Sequence, residues 1–184
     1  MPRLINRFFK LLLEILEFVL IVVTVASLIY LFVGIPLRIT GNSMIPTLLD
    51  GEQVFAERIS VKNNSIGKGD ILVIKHPKRE EVLLIKRLIG VPGDTAEIKD
   101  GFVHINEIKI SEPYLTPGIK TTGFGLIPNN TKIQIGNGKY LILGDNRESS
   151  SDSREWGLID ENLVVGKTLF VYLPINNIRL LKGR

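Results

Sequence analysis

A serine hydroxyl becomes a nucleophile only when a base takes its proton. In this chain the serine in the most suggestive setting is Ser43, at the centre of Gly41-Asn42-Ser43-Met44-Ile45-Pro46-Thr47-Leu48. Histidine is the usual base, but the two histidines are poorly placed. His76 stands in Lys75-His76-Pro77-Lys78-Arg79, which reads as an exposed polar turn, and His104 alternates within a candidate strand. Lysine is the other option. With an ordinary pKa of ~10.4, about one lysine in a thousand is neutral near neutral pH, so a lysine base needs that value lowered by roughly 2–3 units. Desolvation among apolar side chains does this. Lys86 is the lysine in such surroundings, interrupting Val82-Leu83-Leu84-Ile85-Lys86-Arg87-Leu88-Ile89. Strand alternation would turn Arg87 the opposite way, into solvent. Taken alone, the pattern fits an edge strand guarded by one lysine better than it fits a base.

The element nearest Ser43 narrows where it works. Phe18 to Leu37 is a run of 20 residues without a charge, ending six residues before Ser43. Twenty helical residues rise about 30 Å, the thickness of a bilayer's hydrocarbon core. Six extended residues reach about 20 Å at most, so Ser43 would act at a membrane surface. The run is rich in β-branched residues, but in lipid a helix closes its own backbone hydrogen bonds. A cleavable secretory signal is the competing reading, with Thr24-Val25-Ala26 as a loose cleavage-site mimic. Apolar sequence continues eleven residues past Ala26, and a signal's apolar region is usually about 7–15 residues long in all. The expected division is a cytoplasmic leader over 1–17, a transmembrane anchor over 18–37 and a catalytic domain over 38–184. Arg3, Arg7 and Lys10 place the leader in the cytoplasm and the domain outside it, a bias weakened by Arg38 on the far side.

Composition excludes several alternatives. Among 184 residues there is no cysteine, which removes disulfides, thiol nucleophiles and thiolate metal sites. The two histidines lack metal-ligand spacing, so no metal or other cofactor is expected. A net charge of +4 is small and dispersed, unlike a nucleic-acid footprint. Beyond Leu37 no helical period persists. Short apolar runs predict strands over Glu52–Glu57, Asp70–Lys75, Val82–Ile89, Thr95–Lys99, Phe102–Ile105, Lys132–Ile135, Tyr140–Leu143 and Lys167–Leu173. Asp100-Gly101 between two of them is a hairpin signal. Many short strands with Gly-rich turns indicate a barrel or packed sheets. Residues 111–131, rich in Pro, Gly, Thr and Asn, read as a long excursion, either functional or disordered.

Four blocks in order carry a resemblance. They are Gly41–Leu48; Gly69-Asp70-Ile71-Leu72; Lys86-Arg87-Leu88-Ile89-Gly90-Val91-Pro92-Gly93-Asp94; and Gly144-Asp145-Asn146-Arg147-Glu148-Ser149-Ser150-Ser151-Asp152-Ser153-Arg154. Together with the anchor they resemble bacterial type I signal peptidases, the membrane-bound Ser–Lys endopeptidases of family S26. The resemblance implies a mostly β domain of coiled antiparallel sheets, or a partly open barrel, of the signal-peptidase and LexA-like kind. It matches Ser43 to the nucleophile and Lys86 to the general base that later activates water. Ser150 matches the hydroxyl that orients the lysine, and Asp152 the carboxylate of a structural ion pair. Arg147 and Arg154 match basic partners, with Asp145 on the same turn and Met44 lining the site. A neutral amine both donates and accepts, so a serine hydroxyl can aim its lone pair. Asp145, Arg147, Asp152 and Arg154 alternate in sign, as a network would, although composition alone reads them as a solvated turn. Some family members carry a serine where this chain has Gly41, so the oxyanion would rely on the Ser43 N–H and an amide near Gly41.

The resemblance also implies the substrate: signal-peptide-bearing preproteins, cut after small residues at positions −3 and −1. Met44, Ile45, Leu84 and Ile85 are candidate pocket walls, and Phe102, Phe124 and Trp156 candidate members of a lipid-facing rim. Implied partners are the preproteins, the bilayer and a nearby secretion translocon, with no nucleic acid. The implied location is the bacterial cytoplasmic membrane, spanned once. Two alternatives differ in kind. One is a self-cleaving LexA-like protease, which the anchor and the lack of a helix-turn-helix disfavour. The other is a non-catalytic membrane-anchored module that binds exported chains.

Overall fold

The computed structural model describes residues 2–28, 34–181 and 183, with side chains from residue 7 onward. Helix α1, Pro2–Leu28, is exposed along its described length. Its Arg7–Leu28 portion is long and apolar enough to cross a membrane. Thr24, a polar residue in its apolar part, donates its hydroxyl to Leu20 O at 2.8 Å, so that hydrogen-bonding need is met within the helix. The expected anchor over 18–37 is offset from this helix. Positions 29–33 lie outside the described residues, and Gly34–Arg38 forms strand β1 rather than helix. Pro36 explains the change. Its ring cannot donate a helical hydrogen bond, but it is tolerated in an edge strand, which β1 is.

The remaining elements in chain order are strands β2 (Gln53–Glu57), β3 (Ile71–His76), β4 (Arg79–Gly90), β5 (Thr95–Lys99), β6 (Phe102–Ile105), β7 (Ile108–Lys109), β8 (Ile133–Gln134), β9 (Lys139–Leu143), β10 (Ile159–Asp160), β11 (Val164–Leu173) and β12 (Arg179–Leu180). Helices α2 (Ile59–Lys62) and α3 (Ser153–Trp156) are single turns. The strands form two antiparallel sheets, neither closed into a barrel. The larger has the order β1-β2-β11-β3-β4-β9-β10 with β12 added beside β11; the smaller has the order β7-β6-β5-β8. All eight expected strands occur, most with shifted ends. β1, β7, β10 and β12 are additional, and three of these are two-residue strands too short to leave a period in sequence.

Leu72, Ile74, Leu88, Ile142 and Ile159 pack on one face of the large sheet. Ile89, Ile98, Ile105, Ile127, Ile135 and Leu143 make a second core with the small sheet. A third core, with Met44, Leu48, Val54, Ile71 and Val171, lies under the segment that carries Ser43. The excursion over 111–131 is ordered against the domain. Ile127 is buried in the second core, Thr121 is buried, and Asn129 bridges to Ile98.

Candidate active site

Ser43 begins a tight turn, closed by the bonds from Ile45 N to Asn42 O and from Leu48 N to Met44 O. Met44 and Leu48 point into the third core and fix the turn from below. The Ser43 carbonyl accepts from Asn146 N at 3.0 Å, and the Asn42 carbonyl from Asn146 Nδ2 at 3.1 Å. These bonds tie the first block to the fourth across 104 residues. Gly144 sits at the junction. A Cβ added there would overlap Ser150 Oγ and lie 2.5 Å from Ser43 O, so only glycine fits.

Lys86 lies in β4 opposite Leu72 of β3, one residue before the strand's pairing with β9 begins at Arg87. It is only 2% exposed, and its ammonium forms no ion pair among the described residues. Burial lowers its pKa from the ordinary 10.5 to about 8; Asp152 and Asp145 pull the other way, and Arg154 adds to the lowering. At pH 7.4 that leaves about a fifth of the lysines neutral, against about one in a thousand for a free one. Ser150 Oγ is buried and has no hydrogen-bond partner among the described residues.

The acidic and basic residues of the fourth block find partners that their spacing did not suggest. Asp152 and Arg154 do pair with each other, through Nε–Oδ1 at 2.9 Å and Nη2–Oδ2 at 2.8 Å. Asp152 also caps α3 by accepting from Arg154 N, and accepts from Gly144 N at 3.0 Å. Burial would raise its carboxyl, but Arg154 and the Gly144 amide outweigh it and hold the group below the ordinary value. Ser150 adds slightly to the lowering from a position that misses hydrogen-bond geometry. Arg147 pairs with Glu112 and donates to Thr121, both from the excursion. Asp145 pairs not with its block but with Arg87, through Nε–Oδ1 at 2.8 Å and Nη2–Oδ2 at 2.6 Å, and accepts from the Thr47 hydroxyl. The single network expected from alternating signs is thus three pairs, two of them joined where Arg154 Nη1 donates to Arg147 O at 2.8 Å.

Two further expectations are corrected. Arg87 does face away from Lys86 but not into solvent: it is 2% exposed, donates to Gly69 O at 2.7 Å, and lies 3.8 Å over the ring of Tyr114. The excursion covers that face of β4. Tyr114, half-buried there beside Glu112, has its phenol pushed up, first by burial and then by the Glu112 charge. His76 is buried rather than exposed. Its Nδ1 accepts from Lys78 N at 3.0 Å, and its ring packs 5.0 Å from that of Trp156. Glu112 and Tyr114 were missed because they lie in a Pro- and Gly-rich stretch. The one signal there is the aromatic Tyr114, a large ring in a stretch otherwise suited to solvent.

A groove of about 150 Å³ opens beside Ser43. Leu37, Arg38, Ile39, Thr40 and Gly41 line one side, and Val82, Leu83, Leu84 and Ile85 the other, with Ser43 and Met44 between. Of the four expected wall residues, Met44, Leu84 and Ile85 line it and Ile45 does not. Both walls are strand edges. β1 is outermost in its sheet, and β4 pairs with β9 only from Arg87 onward. The Ser43 N–H donates to no described residue. The Gly41 N–H, expected as a second oxyanion donor, is already engaged by Asp50 Oδ1 at 2.8 Å. Phe102 and Phe124 are exposed, each under a cation, Lys109 and Arg154 respectively, while Trp156 is half-buried against the first core.

Comparison with known proteins gives this arrangement a family. The model for "Signal peptidase, peptidase S26" matches residues 12–173. Signal peptidase I of Bacillus licheniformis is 41% identical over 171 residues, covering 88% of each chain. Signal peptidase IB of Staphylococcus aureus (strain COL) is 39% identical over 180 residues, covering 90% of this chain and 93% of the relative. A crystal structure of a signal peptidase I from Enterococcus faecalis V583 superposes with a TM-score of 0.47 at 29% identity, over 55% of this chain and 95% of that one. The chain belongs to the signal peptidase family, peptidase S26. It is a serine endopeptidase that removes signal peptides from preproteins, with an N-terminal apolar helix that fits membrane anchoring.

Proposed function

We propose that this peptidase works through a Ser43–Lys86 dyad and cuts after small residues at positions −3 and −1. The observation that carries the reading is Lys86: a lysine buried without an ion-pair partner among the described residues, on the strand whose Leu84 and Ile85 line the groove at Ser43. A buried charge is costly, and that cost raises the share of the neutral amine, which is the form that accepts a proton. Ser43 Oγ attacks the scissile carbonyl as Lys86 Nζ takes its proton. The oxyanion accepts from the Ser43 N–H. Lys86 then returns the proton to the leaving amine, and in the second half-reaction draws one from the water that hydrolyses the acyl-enzyme. Ser150, buried and unpartnered, orients the amine.

The cleavage-site segment lies extended between the open edges of β1 and β4 and bonds through its backbone. The groove is small beside the roughly 300–1,000 Å³ of ordinary ligand pockets, which favours methyl-sized side chains. The domain stands on the extracytoplasmic side of the bacterial cytoplasmic membrane, near the secretion translocon, with the residues before the apolar part of α1 as leader. Exposed Leu173, Ile175, Ile178 and Leu180 serve as the lipid-facing rim in preference to half-buried Trp156. The test is preprotein cleavage in detergent by Ser43→Ala and Lys86→Ala. Both are expected to lose activity by at least about 10⁴-fold while remaining folded, and Ser43→Ala to lose acylation by a serine-directed probe as well. Cleavage by Lys86→Ala at the parent rate would overturn the dyad.

A further inference from the structure

The far end of the Ser43 turn is gripped by a segment that no functional block contains. Thr47 O accepts from Arg179 Nη2 at 2.6 Å, across 132 residues of sequence. The same guanidinium faces Glu52 with both arms, Nη1–Oε1 at 2.7 Å and Nη2–Oε2 at 2.7 Å. Glu52 is 2% exposed, and its oxygens are fully used: Oε2 accepts from Leu49 N at 3.0 Å and Oε1 from Asn177 Nδ2 at 3.0 Å. Burial would raise the Glu52 carboxyl; Arg179, the Leu49 amide and Asn177 together hold it below its ordinary value. Arg179 Nη1 also donates to Asn177 O at 3.0 Å. The carboxylate and guanidinium thus bind two backbone groups of the segment just past Ser43, the Thr47 carbonyl and the Leu49 amide. Their other bonds hold residues 177–179.

Packing fixes only the end of this strap, where Leu181 rests on the third core with Met44 and Leu48. Ile175, Ile178 and Leu180 are 74%, 60% and 73% exposed. β12 is two residues long and is secured to β11 opposite Phe170 and Val171, with one further bond from Leu181 N to Leu169 O. Upstream of Leu181, the strap reaches the turn through polar bonds to Thr47 and to Glu52, which in turn holds the Leu49 amide. The other end of Thr47, its hydroxyl, is held by Asp145, which also holds Arg87, the neighbour of Lys86. Thr47 is therefore fixed from two sides, by its side chain to the strand of the lysine and by its carbonyl to the strap.

We propose that Arg179 and Glu52 are positioning residues that hold Ser43 in register with Lys86; this rests on the dyad reading above. Neither touches substrate. Their work is to fix the turn between Ser43 and Leu49 so that the hydroxyl stays aligned with the amine, and a misplacement of about 1 Å costs about 100-fold in rate.

The experiment compares Arg179→Gln, Arg179→Lys, Glu52→Gln and the Arg179→Gln/Glu52→Gln double variant of the full chain in detergent. Preprotein cleavage is followed by initial rates, and folding by thermal melting of Trp156 fluorescence, with rates taken well below each melting point. The expected result is a fall in kcat of about 10- to 100-fold in each Gln variant with KM within about twofold. The double variant should be no slower than the slower single one, because both residues grip the same turn. Arg179→Lys should retain part of the rate, since an ammonium can reach the carboxylate but lacks the fork that also holds Thr47. The rate of serine acylation by a small covalent probe should fall in parallel with kcat. Parent kcat in Arg179→Gln, a change confined to KM, or a loss that simply tracks the unfolded fraction would each overturn the clamp. An active Lys86→Ala protein would instead remove the dyad reading, so the two failures are separate.

Discussion

Replacing Lys86 by methionine should destroy cleavage and stabilise the domain, and the stabilisation should depend on pH in a calculable way. Burial takes the ammonium out of water without an ion-pair partner among the described residues, and lowers its pKa from the ordinary 10.5 to about 8. The difference corresponds to about 3.4 kcal/mol against folding while the group is charged. Below about pH 8 both the folded and the unfolded chain carry the proton, so the cost is constant and full. Between about 8 and 10.5 the unfolded chain keeps a proton that the folded one has released, so parent stability rises with pH. Above about 10.5 the cost has vanished. Methionine has similar length and no charge, and its introduction strands no carboxylate, because Asp152 and Asp145 keep Arg154 and Arg87. Lys86→Met should therefore gain about 3 kcal/mol at pH 7, shrinking to under about 1 kcal/mol at pH 10. The assay is urea unfolding in detergent at both pH values, read through the fluorescence of Trp156, the chain's one tryptophan. A higher midpoint at unchanged slope reports the gain. Equal gaps at pH 7 and pH 10, or a variant less stable than the parent at pH 7, would refute the reasoning that the amine is stored in the fold at a cost. In the parent enzyme the same titration should appear as a rise of kcat/KM through about pH 8.

Two other substitutions probe the frame around the amine. Gly144→Ala drives a methyl group into Ser150 Oγ and the Ser43 carbonyl; kcat should fall about 100-fold with a loss of about 1–3 kcal/mol in stability, checked by cleavage rates and urea unfolding. Asp145→Ala strands the buried Arg87 guanidinium and should cost about 3–5 kcal/mol, whereas Asp145→Leu with Arg87→Met should unfold nearly as the parent does, while still losing the hold on the Thr47 hydroxyl.

The candidate dyad positions are more conspicuous in the sequence than their surroundings. A lone lysine in an apolar strand is conspicuous because its charge opposes the pattern, and a serine close after a charge-free run is conspicuous by position. Local alternation also gave correctly that Lys86 and Arg87 face opposite ways. It could not show that the second face is covered, because the cover, Tyr114 with Glu112 behind it, comes from an irregular stretch with no period to read. The pairing of Asp145 with Arg87 across 58 residues is likewise invisible to sequence spacing, which suggested local partners instead. The charge-free run ends in the edge strand β1, because an apolar edge strand and an apolar helix end look alike over four residues; Pro36 is the clue that separates them.

The link between Thr47 and Arg179 has a consequence in time. A nascent chain acquires Ser43 early and Lys86 soon after, but the tie on the Ser43 turn must wait until Arg179 has been made and has reached it. Until then the hydroxyl and amine would belong to one chain without sharing a fixed geometry. The last roughly 10- to 100-fold of the rate would thus be gained late, when this tie closes.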